Sequence, residues 1–198
     1  MRERPLAVLD ANVLYPFQTR NFLLHLAAVG LYQPLWSARI VEECGRALRR
    51  DAGLTEAQCG HLFAQMRAHF GFAWGAGFER RVGEIVLPDR DDRHVVALAA
   101  EYEAELIVTH NLRHFPAEVL HPLGITAVEP DAFVGLLWNA DESAVIRAAE
   151  RHRSSLRQNP LSPGEYLETL DARAKLPRTA RLLRNGGFLG DSARLPAG

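Results

Sequence analysis

Long hydrophobic runs are missing from this chain of 198 residues. No window approaches the roughly 18 apolar residues that a membrane-spanning helix needs. No apolar stretch behind basic residues opens the sequence in the manner of a secretion signal, so a cytoplasmic protein without a membrane partner is expected. Cysteine is scarce as well: Cys44 and Cys59 are the only two. Each falls in a helical-looking segment and the two make no metal-type pair, which favours buried thiols over a disulfide. Lysine is scarcer still, Lys175 being the single one among 23 basic residues. Receiver domains and phosphoaspartyl enzymes place a lysine near an acceptor aspartate, so its scarcity counts against both. Internal repeats and low-complexity tracts are also missing.

What is present suits a soluble globular protein, with 47% hydrophobic and 24% charged residues. The length allows one main domain and a small appendage. The net charge of −1 hides an asymmetry. Residues 1–146 carry 13 basic against 19 acidic side chains, a balance of −6, whereas residues 147–198 carry 10 against 5, a balance of +5. Such a basic end suits a polyanion, and arginine suits bidentate phosphate contacts; an ordinary charged surface is the plainer alternative.

Leu6 to Leu14 is a short, branched, apolar run that reads as a strand buried on both faces, with Asp10 emerging at its carboxyl end. In open α/β sheets that edge is where ligands sit, although Asp10 could equally cap the next segment. Asn21 to Ala28 reads as the first crossover helix and Leu31 to Trp36 as a second extended piece. Ser37 then caps a helix with Ile40, Val41, Cys44, Ala47 and Leu48 on its apolar face. Glu43 falls at the border of that stripe. Thr55 and Gln58 form a capping box for another helix, Gly71 to Gly77 reads as a loop, and Val82 to Leu87 reads as a strand.

Asp89, Asp91 and Asp92 crowd ahead of a helix that begins near Val95. One acid there would complement the helix dipole; three repel one another unless a cation or a proton relieves them. Leu106 to Thr109 is a further short strand, with Asn111 just past its end as Asp10 follows the first. Ile125 to Val128 is an edge strand, and Pro130 opens the helix Asp131 to Trp138. The alternation of strand and helix implies a parallel sheet with right-handed crossovers. Beyond Asn139 the pattern is helical, and Ser162 to Glu165 makes a second capping box. The expected organisation is an α/β domain over residues 1–139, a helical appendage over 140–185 and a loose tail over 186–198.

Asp10, Glu43, the Asp91–Asp92 pair and Asn111 are distant in sequence but converge above one sheet edge if the strands are parallel neighbours. Carboxylates brought together in this way coordinate Mg²⁺ or Mn²⁺ through oxygen, and such ions activate water for phosphodiester cleavage.

The ordered set Leu-Asp-Ala-Asn-Val-Leu, Trp-Ser-Ala-Arg-Ile-Val-Glu-Glu, Asp-Arg-Asp-Asp-Arg-His-Val-Val and Ile-Val-Thr-His-Asn-Leu-Arg-His-Phe resembles the PIN domain. More narrowly it is similar to the VapC-like toxins of toxin–antitoxin pairs, over residues 6–135. The resemblance implies an α/β/α sandwich and a metal-dependent ribonuclease, often a homodimer, held inactive by a cognate antitoxin. It matches Asp10 to the family's first acid, Glu43 to the helix acid and Asp92 to the third, leaving Asp91 and Asp89 as supporting acids. Asn111 follows Thr109 where the family places its fourth acid, and this departure puts a second metal position in question. Asp10 and Asp92 are thus expected to bind Mg²⁺ or Mn²⁺, with Glu43 binding or steering a coordinated water. Asn12 is expected in the same pocket, and Arg90, Arg93 and Arg113 are candidates for RNA phosphates. His94, His110 and His114 have no spacing that supports a closed zinc site. The rival readings are a catalytically silent RNA- or protein-binding module and a housekeeping RNA-processing nuclease.

Overall fold

A computed structural model of the chain describes residues 4–189. In chain order its elements are β1 (Leu6–Leu9), α1 (Ala11–Leu14), α2 (Phe17–Ala28), β2 (Gln33–Ser37), α3 (Ala38–Ala52), α4 (Glu56–His69), β3 (Trp74–Gly75), α5 (Glu79–Val82) and α6 (Arg93–Tyr102). There follow β4 (Leu106–Val108), α7 (Ala117–Leu120), β5 (Thr126–Val128), α8 (Pro130–Ala140), α9 (Glu142–Ser155), α10 (Pro163–Ala172) and α11 (Pro177–Asn185). They pack as two units, one comprising the residues up to Pro16 with Tyr32–Glu129, the other Phe17–Leu31 with the residues from Pro130 onward.

The first unit is a three-layer α/β/α fold around a parallel sheet in the order β3-β2-β1-β4-β5. Val8 pairs with Leu35 on one side and Ile107 on the other, and Ala7, Val8 and Leu9 are fully buried, as a strand covered on both faces requires. The chain winds outward through β2 and β3, then returns to the other side of β1 for β4 and β5. The order therefore reverses between β1 and β4, whose carboxyl ends flank the crevice such reversals create. Because α3 leaves β2 and α6 returns the chain to β4, both helices have their amino ends at that same edge.

Two segments of this unit differ from their sequence reading. The apolar run from Leu6 stops being a strand at Leu9, because the Asp10 carboxylate accepts from the Ala11 backbone N–H and caps α1. The third strand is Trp74–Gly75, within the stretch read as a loop, and Val82 to Leu87 forms no strand. Gly75 is required there: a Cβ would lie 2.5 Å from Leu98 Cδ1. Ile85 and Leu87 are buried without ladder partners, so their alternation records burial of a loop.

The second unit is helical. Helix α2 packs on α9, α10 on α11, and α8 on α9 and α11. Asn21 to Ala28 thus belongs to a longer helix that joins β1 to β2 in sequence yet contributes to the helical core, with the Phe22 and His25 rings 5.9 Å and 4.9 Å from that of His152. Pro130–Ala140 also lies in this unit: Asp131 accepts from the Arg178 and Thr179 backbone N–H groups and the Thr179 hydroxyl, capping α11. The sequence boundary after Asn139 therefore falls within a packed helical unit. Phe188 is buried, its ring 5.4 Å from that of Tyr166, so the expected loose tail is packed as far as it is described; residues 190–198 lie outside the described residues. Among the described residues no helix is long and apolar enough to cross a membrane.

Candidate active site

Asp10 is 4% exposed at the carboxyl end of β1. Its Oδ1 accepts from the Ala11 N–H at 2.6 Å, and its Oδ2 accepts from Asn12 Nδ2 and from the Thr109 hydroxyl, each at 2.7 Å. Thr109 stands at the end of β4, so the carboxylate bridges the two strands at the reversal point. The Thr109 hydroxyl in turn accepts from Asn12 Nδ2 and the Asn111 N–H, and Asn12 Oδ1 accepts from the His110 N–H. Asn12 thus orients Asp10 while tying the turn after β1 to the turn after β4. Asn111 is held there through its backbone.

The helix acids arrive from either side. Glu43, on α3, lies 3.1 Å from His94 Nε2 on α6 and 3.3 Å from Arg39 Nε, one helical turn earlier. Arg39 also donates to the Asp91 carbonyl at 3.2 Å, tying α3 to the acidic loop. Asp92 stands at the amino end of α6, where its Oδ2 is 2.6 Å from His114 Nδ1. Arg113 Nε donates to His114 Nε2 at 3.2 Å, which leaves Nδ1 to carry the proton toward Asp92. Asp89 Oδ2 lies 3.6 Å from the same nitrogen, while Asp89 Oδ1 accepts from the Asp91 N–H. Among the described residues, Asp89, Asp92 and His114 form a group whose ligand atoms all lie within 4.8 Å of one another. Asp10 and Glu43 stand outside that group.

The electrostatics join the two clusters. Burial pushes the Asp10 carboxyl up to about 6, and the negative charges of Asp92 and Glu43 add to the rise against its hydrogen bonds with Thr109 and Ala11. Burial and then Asp89 raise Asp92, with His114 opposing. Glu43 behaves differently: burial acts to raise it, but His94 and Arg39 together outweigh burial and hold it below the usual range. One carboxyl is therefore poised near neutrality beside two others, on a surface of oxygen donors. Among the described residues the Asp89, Asp92 and His114 atoms lie close enough to share a divalent cation, whose charge would relieve the repulsion that burial has made costly.

His94, His114 and Arg39 act on these acids, and sequence reasoning did not assign them to the site. A signal existed for each. Arg39 is spaced four residues from Glu43, whereas His94 and His114 occur inside two of the four quoted motifs. Among the candidate phosphate-binding residues, Arg90 and Arg113 are exposed and Arg93 is half-buried at the start of α6.

Comparison with known proteins agrees with this architecture. The family model described as PIN domain matches residues 7–113, more than half of the chain, and the chain belongs to that family. Residues 130–185 match a second model, described as VapC50 C-terminal domain, so the chain resembles the VapC-like members. A curated Mycobacterium tuberculosis protein, "Putative ribonuclease VapC50", is 32% identical over 111 residues, covering 53% of this chain and 63% of that protein. The chain therefore spans less than two thirds of that relative's length. No solved structure gives a significant match.

Proposed function

We propose that the chain is a Mg²⁺- or Mn²⁺-dependent endoribonuclease and the toxin of a toxin–antitoxin pair, with single-stranded or looped RNA as substrate and a cognate antitoxin as inhibitor. A homodimer is the proposed assembly and the cytoplasm the proposed location. The observation that carries the reading is buried Asp10, fixed by Asn12 and Thr109 and burdened by the charges of Asp92 and Glu43. The name of the mycobacterial relative and the family membership point the same way.

Asp10 and Asp92 are the residues that would hold the ion, with Asp89 and Asp91 adding negative charge. When bound, a divalent ion supplies a water of lowered pKa and positive charge for the leaving oxygen. Glu43, held below the usual carboxylate range by His94 and Arg39, is the group proposed to steer such a water, in support of which stand its contacts with those two residues. His114 donates to Asp92 and fixes its orientation. Asn111 offers hydrogen bonds without charge, which suits a phosphate oxygen or water better than a second ion. Arg90, Arg93 and Arg113 flank the acids and are proposed to meet substrate phosphates.

The test is cleavage of structured RNA by purified protein with Mn²⁺, with EDTA, and with the Asp92→Asn variant. Cleavage that EDTA abolishes and Asp92→Asn reduces by about 10³-fold or more supports the nuclease. RNA binding without turnover in any divalent ion overturns it in favour of a silent binding module. Growth arrest relieved by co-expressing a small neighbouring reading frame would separate a toxin from a housekeeping nuclease.

A further inference from the structure

Several arginines of the first unit are ion-paired, Arg39 with Glu43, Arg49 with Glu56, Arg50 with Asp51, and both Arg80 and Arg81 with Glu101, as is Arg147 with Asp141 in the second. Near the end of the second unit, Arg173, Lys175, Arg178, Arg181 and Arg184 form a run of five cations with no acid between them. All five are exposed, and among the described residues none has a carboxylate within ion-pair distance.

The fold aims this run outward. Thr179, Ala180 and Leu183 bury one face of α11, so helical periodicity turns Arg178 and Arg181 to the opposite face, with Arg184 at its border. Arg178, Arg181 and Arg184 follow one another at three-residue spacing, which makes them neighbours along the helix surface. In the preceding turn Ala174 and Leu176 are buried while Arg173 and Lys175 point out, Lys175 with a left-handed backbone at φ 56°. Gly135, in the interior of α8, lies beneath the Arg178 side chain. A Cβ there would lie 2.8 Å from the Arg178 guanidinium carbon, so the arginine rests against α8 at that position.

Five like charges along one short segment without ion-paired side chains repel one another, and a polyanion relieves that repulsion by releasing its own counterions. We propose that the outer face of α11 and the turn before it form an RNA-backbone binding surface, which holds substrate by its phosphates independently of sequence. The choice of RNA as the polyanion rests on the nuclease reading above. Arginine, in four of the five positions, fits phosphate with two parallel hydrogen bonds where lysine offers a point charge.

The test is fluorescence anisotropy of a labelled single-stranded RNA of mixed sequence with the full chain in EDTA, across a salt series. The Arg178→Gln/Arg181→Gln/Arg184→Gln variant is expected to bind about 10- to 100-fold more weakly at 0.1 M salt and to flatten the slope of log K against log salt by about 2. Because Arg178 packs over Gly135, Arg181→Glu/Arg184→Glu serves as a second variant that leaves that seat untouched, with a loss of the same order expected. Unchanged affinity and slope in both folded variants would overturn the proposal, as would loss of binding to phosphatidylserine vesicles with RNA binding intact. Cleavage is scored separately with Mn²⁺. A chain that cuts no RNA, but whose RNA binding falls in both variants, would leave this surface standing while the nuclease reading fails.

Discussion

Asp10 in the first unit and His152 in the second are both buried titratable groups, and the fold treats them in opposite ways. His152 is fully buried among the rings of Phe22, His25 and Tyr166, with Nδ1 2.9 Å from the Tyr166 hydroxyl. Burial, helped by His25, drives its pKa down to about 3, so it sits in the core as a neutral aromatic ring. Asp10 is given three hydrogen-bond donors and then placed where two further carboxylates oppose its charge. At His152 the second unit removes the charge that burial would make costly. The first preserves a negative pocket at a cost in stability, the pattern expected where a group is kept for chemistry.

The contrast is broken most severely at Asp10. The Asp10→Asn variant is predicted to lose RNA cleavage by about 10³-fold or more, read as single-turnover rate in Mn²⁺, because the carboxylate joining β1 to β4 is neutralised. Next in size is the acid sensitivity of the helical unit. The folded pKa of His152 lies below its unfolded value, so between pH 6.5 and 3 the unfolded chain takes up a proton that the fold refuses. Stability is full above pH 6.5 and falls toward pH 3 by roughly 4 kcal/mol, and His152→Phe should flatten that slope in urea unfolding.

Asp10 gives the opposite sign. Its folded pKa is raised from 3.8 to about 6, so the fold keeps a proton that the unfolded chain releases, and metal-free stability falls as pH rises across that window. The expected loss is up to about 3 kcal/mol, and Asp10→Asn should remove the slope. The smallest effect separates site from scaffold. Ser37 caps α3 by accepting from the Ile40 N–H, and Ser162 caps α10 by accepting from the Glu165 N–H. Substituting alanine at either costs about 1 kcal/mol in thermal melts. Only Ser37→Ala should also slow cleavage, since α3 carries Glu43.

The parallel sheet and its acidic edge were legible because burial on both faces leaves unbroken apolar runs, and because Asp10, Thr109 and the Asp89–Asp92 loop immediately adjoin such runs or the helix that follows. The strand Trp74–Gly75 was illegible. Two residues carry no periodicity, and the glycine that reads as loop punctuation is there because Leu98 leaves no space for a side chain. The place of α2 was also hidden, since a helix between two strands reads as a crossover and its packing on α9 is a property of residues over a hundred positions away. His94 and His114 were visible as residues but not as partners, because each meets its acid only after α3, α6 and the turn after β4 are brought to one edge.

The acids of β1, α3 and α6 are proposed to act as one negative pocket that a divalent ion relieves. Calorimetric titration of Mn²⁺ into the protein at pH 6, in two buffers of different ionisation enthalpy, tests it most directly. Wild type should bind the ion and release protons, since Asp10 is about half protonated there, and Asp10→Asn should bind more weakly and release fewer. Binding and proton release that are the same in wild type and Asp10→Asn would contradict the account.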